Sequence, residues 1–168
     1  MLIAYKGIVP ACHPSVFVAE TARVVGDVEI GEDSSVWFGT VIRGDINRIR
    51  IGKRTNVQDN CTLHVTHNDS LEVGNSVTFG HGAVAHGCAI EDFCMIGIGA
   101  IVLDGSVIGT GSVIGAGALV APRTIVPPHS LVMGVPGKVV KVLAPESAIA
   151  NRITADHYVE YAQTYRKG

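Results

Sequence analysis

The feature that most constrains the fold of this chain is a repeat of six residues. Aliphatic side chains, with one Phe among them, recur at this spacing in four runs. The runs are Val18, Val24, Ile30, Val36, Ile42; then Ile51, Val57, Leu63; then Val73, Phe79, Ala85; and last Ile90, Ile96, Val102, Ile108, Ile114, Val120, Val126, Val132. A period of six fits neither an amphipathic helix, with a period of roughly 3.6, nor an alternating strand, with a period of about 2. Repetition of this kind is typical of solenoids.

The six-residue unit predicts a three-sided prism built from short parallel strands. Each unit supplies one strand with an inward aliphatic side chain, and a corner occupied by a small residue or one that tolerates positive φ. Three units complete a coil, so residues one coil apart would stack at about 4.8 Å, the spacing of neighbouring strands. Aromatic residues make up only 5% of the chain while Gly occurs 20 times, which suits a narrow interior. We therefore predict an all-β parallel β-helix over residues 1–140.

The repeat changes phase three times. Three residues are added near 44–47, four are added around 66–70, and one is lost between Ala85 and Ile90. Loops that interrupt a rigid scaffold are common places for function. We therefore expect the functional residues to lie between 43 and 90.

Residues 141–168 are predicted to form a C-terminal unit that consists mainly of one α-helix. The repeat ends in a Gly/Pro-rich turn after Val132, and a helix is expected over 145–165 with Pro145 in its first turn. The apolar face predicted for this helix contains Ile149, Ile153, His157, Tyr158 and Tyr161. We expect this face to pack along the prism or on a neighbouring subunit.

Charge and composition exclude several classes of protein. Thirteen basic and fifteen acidic residues give a net charge of −2, which argues against a nucleic-acid partner. The chain contains no long apolar stretch that could span a membrane, and its first residues lack the features of a signal peptide. The four cysteines have no CxxC spacing and are interpreted as buried free thiols of a reducing compartment. These features predict a cytoplasmic protein with no membrane partner.

Three of the seven histidines are predicted to share a metal ion. If the insertion after Leu63 only adds a loop, Leu63 and Ala85 stack on adjacent coils, and His64 and His86 follow them directly. The two imidazoles would then point outward side by side, about one strand spacing apart. His81 falls on a different face, so it would reach the same ion only from another subunit of a threefold assembly. Three histidines with an open fourth position are the ligand pattern of catalytic zinc.

Three motifs carry a resemblance to a known family: RGD at 43–45, NVQDNCTLH at 56–64 and HGAVAH at 81–86. Together they resemble the gamma-class carbonic anhydrases, hexapeptide-repeat proteins whose prism is wound left-handed, and the resemblance covers nearly the whole chain. It implies a left-handed parallel β-helix and a homotrimer that hydrates CO2 reversibly to bicarbonate. It also implies Zn²⁺, Fe²⁺ or Co²⁺ between subunits, bound by His64 and His86 of one chain and His81 of the next.

The resemblance also implies roles for other residues around the metal. Arg43 and Asp59 would form an ion pair between subunits. Gln58 would hydrogen-bond the water or bicarbonate at the metal, and Asn56 and Asp45 would support the site. These five positions belong to the same motifs as the predicted ligands.

The chain resembles most a short subgroup similar to ferripyochelin-binding and phenylacetic-acid-pathway proteins. In that subgroup a tyrosine beside the metal matches Tyr158. The longer members have a glutamate where this chain has Ile46, and an acidic loop after the first histidine that transfers protons. Here that loop is short and contains His67 instead. We therefore expect slow CO2 hydration, with His67 as the candidate proton shuttle.

Three other functions remain open at this level. A hexapeptide acyltransferase would share the fold and would need one general-base histidine and a groove for an acyl donor. A metal-dependent thioesterase is a further alternative. The trimer could also be a non-catalytic scaffold that keeps the metal as a link between subunits.

Overall fold

The computed structural model describes residues 1–167, which form a parallel β-helix followed by an α-helix. In chain order the strands are β1 (Leu2–Ile3), β2 (Ala11–Cys12), β3 (Phe17–Val18), β4 (Arg23–Ile30), β5 (Ser35–Val36), β6 (Val41–Ile51), β7 (Asn56–Val57), β8 (Thr62–His64), β9 (Leu71–Val73), β10 (Thr78–Phe79), β11 (Val84–His86), β12 (Ala89–Ile90), β13 (Met95–Ile96), β14 (Ile101–Val102), β15 (Val107–Ile108), β16 (Val113–Ile114), β17 (Leu119–Val120), β18 (Ile125–Val126), β19 (Ser130–Met133) and β20 (Lys138–Val142). The helix is α1 (Ser147–Lys167). The predicted fold class is confirmed.

The strands are arranged as the sides of a prism. Within residues 1–167, twelve strands form one sheet and eight form a second. The long strands β4 and β6 continue through one corner and so join two sides into the larger sheet, while the smaller sheet is the third side. Neighbouring strands pair in parallel until β20, which pairs antiparallel with β19 at the end of the prism.

The core is the set of inward aliphatic side chains that the repeat predicted. On one side, Val24, Ile42, Leu63, Ala85 and Val102 pair in register from coil to coil. All five are fully buried. Each coil thus adds apolar contacts to the coil below, and burial of this surface is the main stabilising contribution.

The corners use two distinct devices. Residues such as Asn60, with φ of 58°, adopt the left-handed conformation that turns the chain. The glycine that directly follows many inward residues serves close approach instead. A Cβ on Gly52 would lie 2.6 Å from the backbone of Gly74 on the next coil, so these two coils touch through their backbones.

The phase breaks leave the stacking of the coils intact. Opposite the step from Gly26 to Val28 in β4, strand β6 runs from Gly44 to Ile49, so the inserted residues bulge out of the ladder. The insertion at 66–70 is a tight loop in which the Thr66 hydroxyl accepts a hydrogen bond from the Asp69 amide at 2.8 Å. Because both insertions project outward, strands on either side keep their register.

Helix α1 packs on the third side of the prism, against β3, β5, β7 and β10. Of the predicted apolar face, Tyr158 contacts Trp37 of the prism, whereas Ile149, Ile153 and Tyr161 are about half exposed in the single chain. Packing of this face on a neighbouring subunit stays a prediction. The buried residues are Asn151, Ala155, Val159 and Ala162.

Small and polar residues bring α1 close to the prism. The side chains of Ala155 and Ala162 are short enough to let the helix backbone approach the sheet. Asn151 Nδ2 donates to the Phe93 carbonyl at 2.9 Å, and Asp156 pairs with Arg54 at 2.6 Å. Apolar periodicity alone could not show that alanine and asparagine would outweigh the larger aliphatic residues at this contact.

Two further points concern the chain as a whole. No helix within residues 1–167 is long and apolar enough to cross a membrane. The division at residue 140 stays a prediction: β20 runs across it, and Gly168 lies outside the described residues.

Candidate metal centre

His64 and His86 lie side by side on the outside of the prism. They are direct partners in the parallel pairing of β8 with β11, as the repeat predicted. His64 Nδ1 lies 3.0 Å from His86 Nε2, and the ring centroids are 5.0 Å apart. The structure therefore aims one ring nitrogen of each histidine at the same point.

An aspartate contacts the other ring nitrogen of each histidine. Asp45 Oδ1 lies 3.0 Å from His64 Nε2, and Asp104 Oδ1 contacts His86 Nδ1. Burial alone would raise the pKa of Asp45, but hydrogen bonds from His64 and Arg43, with the charge of Arg43, outweigh it and lower this pKa below its usual value. An ionised carboxylate only accepts hydrogen bonds, so the nitrogen facing each aspartate is the protonated one.

The protonation of the outer nitrogens determines what lies between the rings. If both histidines are neutral, His64 Nδ1 and His86 Nε2 are unprotonated, and their lone pairs converge across 3.0 Å. Two lone pairs at this distance repel each other unless a cation lies between them. Two nitrogens bound to one tetrahedral zinc, each at about 2.0–2.1 Å, would be roughly 3.3 Å apart. The pair therefore fits two ligands of a single metal ion.

Arg43 lies beside this pair. Its guanidinium contacts Asp45 Oδ2, and its side chain is 45% exposed. Asp45 thus accepts from Arg43 on one oxygen and from His64 on the other. We call His64, His86, Asp45, Asp104 and Arg43 the histidine-pair group.

His81 lies at a corner of the prism, just after β10. Its Nδ1 lies 2.8 Å from Asp59 Oδ2, and half of its side chain is exposed. Among residues 1–167, no three His, Cys, Asp or Glu side chains are arranged as a complete metal site. A single chain therefore presents His64 and His86 together and His81 separately.

Gln58 and Asn56 are held in a buried network near the same corner. Gln58 Nε2 donates to Asn56 Oδ1 at 3.2 Å, and Asn56 Nδ2 donates to the Thr78 hydroxyl at 2.8 Å. Gln58 directly precedes Asp59 in the chain, and its backbone N–H donates to the carbonyl of Phe79, two residues before His81, at 3.0 Å. This network orients the Gln58 side chain and limits its motion.

Tyr158 of α1 lies beside this corner as well. Its ring contacts Trp37 with centroids 5.4 Å apart, and a cavity of about 340 Å³ is lined by Trp37, Phe38, Asp59, Tyr158, Tyr161 and Tyr165. Burial, and secondly the charge of Asp59, raise the pKa of Tyr158 above its ordinary value. Its hydroxyl is therefore protonated at neutral pH. We call His81, Asp59, Gln58, Asn56 and Tyr158 the corner group.

His67 belongs to neither group. It is exposed on the 66–70 loop, and its carbonyl accepts a hydrogen bond from Asn47 Nδ2 at 3.3 Å. The loop begins two residues after His64 in the chain, and the His67 side chain is exposed to solvent. His13, by contrast, contacts Ser15 on another part of the prism.

The chain is similar over most of its length to several known proteins. A bacterial transferase hexapeptide model of six repeats matches residues 87–122. The chain is 44% identical to a carbonic anhydrase from Geobacillus kaustophilus, over 99% of this chain and 91% of that protein. The chain belongs to the gamma-class carbonic anhydrase family.

Two other relatives show the range of names in use around this gamma-class family. The mitochondrial gamma carbonic anhydrase 2 of Arabidopsis thaliana is 40% identical over 93% of this chain and 58% of that protein. A solved structure of a hexapeptide transferase family protein from Anaplasma phagocytophilum superimposes with a TM-score of 0.94, at 34% identity and 98% coverage of both chains. The gamma-class fold therefore occurs under both carbonic anhydrase and transferase names.

Sequence reasoning missed Asp104 and Thr78. Asp104 follows His86 by 18 residues, but the coil between them has 17, because Ala85 pairs with Val102. Counting along the repeat therefore places Leu103 beside His86 and Asp104 one residue further, in the turn after β14. Thr78 precedes the inward Phe79, and its contact with Asn56 follows from the pairing of β7 with β10.

Proposed function

We propose that this protein is a metal-dependent lyase that catalyses the reversible hydration of CO2 to bicarbonate. The observation that most supports this is the convergence of His64 Nδ1 and His86 Nε2 at 3.0 Å, each imidazole backed by an aspartate. Membership of the gamma-class carbonic anhydrase family supports the same reaction. Imidazole nitrogens suit Zn²⁺, and they also accept Fe²⁺ and Co²⁺. We propose Zn²⁺ as the first candidate.

His81 of a neighbouring subunit completes the proposed ligand set. The histidine-pair group and the corner group are two halves of one site, and each subunit of a homotrimer would contribute one half to each of its two interfaces. Arg43 belongs to the first half and Asp59 to the second, so the proposed Arg43–Asp59 ion pair would hold the halves together. Its formation would replace or share the contacts to Asp45 and His81 within the chain.

The charge of the ligands explains why this set suits CO2 hydration. A divalent metal held by three neutral imidazoles lowers the pKa of water to about 7 and so supplies hydroxide at neutral pH. Gln58 would hydrogen-bond the bicarbonate oxygen, with its orientation fixed by Asn56. Tyr158 would offer a protonated hydroxyl on the same side.

Proton removal would limit the rate. Each turnover releases one proton that must reach the buffer, and a mobile group that titrates near pH 7 speeds this transfer. His67 is the proposed shuttle, because an imidazole can both accept and release protons and this one is exposed on the loop that follows His64 in the chain. Ile46 replaces the acidic residue of longer relatives, so we propose slow turnover.

The state of the cysteines is the basis for a proposal about the cellular compartment. Within residues 1–167 all four cysteines are free thiols, and three are buried. Buried thiols of this kind suit a reducing compartment, so we propose that the protein functions in the cytoplasm.

The transferase name of a structural relative keeps an acyltransferase as the second candidate. An acyltransferase needs one general-base histidine but no metal, so it would leave the second imidazole of the pair without a role. A thioesterase or a metal-linked scaffold would both retain the metal and lack CO2 turnover.

The deciding experiment joins metal analysis to stopped-flow CO2 hydration. The protein is purified both aerobically and anaerobically, and metal content and initial rate are measured on each preparation. One metal per subunit with metal-dependent hydration is the expected result. A metal-free protein that transfers acyl groups would favour the acyltransferase, and a metal-loaded protein without hydration would overturn the proposed activity.

A further inference from the structure

Asp104 occupies a position that neither the motifs nor the family resemblance assigned. Its carboxylate contacts His86 Nδ1, on the side of the ring opposite His64. Among residues 1–167 this is the only hydrogen bond that its side chain makes. The contact therefore serves the histidine rather than the fold of the corner.

We propose that Asp104 is a positioning residue that sets the tautomer of His86 and thereby makes His86 Nε2 a metal ligand. This inference rests on the metal ligation proposed above. A neutral imidazole in water favours the tautomer with its proton on Nε2. That tautomer would present an N–H, rather than a lone pair, toward His64 Nδ1. An acceptor at Nδ1 reverses the preference.

The two aspartates of the histidine-pair group therefore have different effects on the tautomers of their histidines. Asp45 accepts from Nε2 of His64, so it supports the tautomer that an isolated histidine already prefers. Asp104 accepts from Nδ1 of His86, so it must impose the less favoured tautomer. Loss of Asp104 should therefore affect metal binding through a change that the loss of Asp45 would not cause.

The solenoid explains how Asp104 reaches this position. Asp104 follows β14, and β14 pairs with β11, which ends at His86. The ladder pairs Ala85 with Val102, so Asp104 lies one residue beyond the ladder position of His86, in the turn that follows β14. From there its carboxylate reaches the His86 ring. The side chain of Asp104 is 40% exposed, and its removal opens no cavity in the core.

The test compares the full-length protein with Asp104→Ala and Asp104→Asn. Long-range ¹H–¹⁵N spectra of the metal-free protein report the tautomer of His86, which is assigned by comparison with His86→Gln. Competition with a chelator gives the affinity for Zn²⁺. We expect Nδ1–H in the unmodified protein and Nε2–H in Asp104→Ala, together with a loss of zinc affinity of about 10- to 100-fold. Asp104→Asn, which keeps the size and removes the charge, should also bind zinc more weakly.

Glu160→Gln is the matched control, since it removes one negative charge from an exposed position of α1 and leaves every member of the histidine-pair group unchanged. It should change neither the tautomer nor the affinity. An unchanged tautomer and an affinity within twofold in Asp104→Ala would overturn the proposal. Because neither readout is enzymatic, a wild-type protein that binds zinc with the expected tautomer but fails to hydrate CO2 would overturn the proposed function alone.

Discussion

Asp45, His64, His86 and Asp104 come from four successive coils, and their order along the prism is acid, base, base, acid. The two outer carboxylates each accept a hydrogen bond from one imidazole N–H, so the two unprotonated inner nitrogens face each other. Neither aspartate is a metal ligand in this arrangement. The metal would therefore keep its full charge, because only neutral imidazoles contact it.

The ligand assignment predicts which histidines the metal needs. Replacing His64, His81 or His86 with Ala should each abolish stoichiometric metal, because two nitrogens alone cannot hold the ion tightly. His13→Ala and His67→Ala should retain one metal per subunit by elemental analysis. Loss of metal from His67→Ala together with its retention in His81→Ala would show that the corner histidine had been assigned wrongly.

The loop histidine predicts a buffer-dependent rate. If His67 moves protons, His67→Ala should lower the maximal rate of CO2 hydration at low buffer by about 10-fold or more. Added imidazole should restore the rate, and metal content should not change. A fast rate in His67→Ala that is independent of buffer would mean that protons leave by another route.

The thiols predict a graded reactivity. Burial raises the pKa of Cys61 to about 11 and the pKa values of Cys88 and Cys94 to about 12, so their thiolate forms are scarce at pH 8. Only Cys12, which is partly exposed, should react promptly with a disulfide reagent in the folded protein. Unfolding in denaturant should release all four, and four equivalents at once without denaturant would contradict the burial.

Residue-level prediction from sequence succeeded where register decides position. The pairing of His64 with His86 follows from counting along the repeat, because a parallel ladder fixes which residues are neighbours. The pairing of Arg43 with Asp45 within the chain could not be read in this way, since it depends on side-chain conformation at a bulge. Contacts between subunits stay predictions, because the repeat describes one chain and not its neighbour.

At the scale of elements, α1 shows where periodicity is a poor guide. Its larger apolar residues, Ile149 and Ile153, are exposed in the chain, while Ala155 and Ala162 are buried. The outer surface of this sheet is flat, so a helix packs densely against it when small side chains let the helix backbone come close. Large side chains would hold the helix away from the sheet. The existence of the helix followed from its sequence, but its rotation about its own axis did not.

The same geometry predicts an asymmetry between two alanines of the helix. Ala155→Leu should lower the free energy of unfolding by about 1–3 kcal/mol, because the added carbons have no space against the sheet. Ala150→Leu, the same change on an exposed position, should alter it by less than about 0.5 kcal/mol. Denaturant unfolding followed by circular dichroism measures both, and equal effects would mean that α1 is rotated from its position here.

At the scale of the whole molecule, the proposed site requires two subunits, because one chain presents His64 and His86 together and His81 separately. The histidine-pair group contains the positively charged Arg43, and the corner group contains the negatively charged Asp59. The two proposed partners therefore have opposite charges. In a closed ring of three chains, the histidine-pair group of each subunit would meet the corner group of its neighbour. Metal and assembly should therefore depend on each other.

The proposed interface predicts a trimer whose stability depends on the Arg43–Asp59 ion pair. The protein should sediment as a trimer, and Arg43→Asp should weaken the assembly by placing two negative charges together. The double variant Arg43→Asp with Asp59→Arg should recover the trimer, because the pair is restored with its ends exchanged. A metal-loaded monomer, or a double variant no better than Arg43→Asp alone, would contradict the proposed interface.

Strand β20 gives the prism a defined end. A stack of parallel coils presents an open edge to which further parallel strands, from this chain or another, could add without limit. The antiparallel turn from β19 into β20 reverses the direction of that edge, and Lys138 and Lys141 place positive charge along it. A second molecule would meet a strand that runs antiparallel to the coils, and the lysines of the two copies of β20 would repel each other. On the third side of the prism, β20 therefore disfavours the addition of a further parallel strand, although the repeat itself has no intrinsic stop.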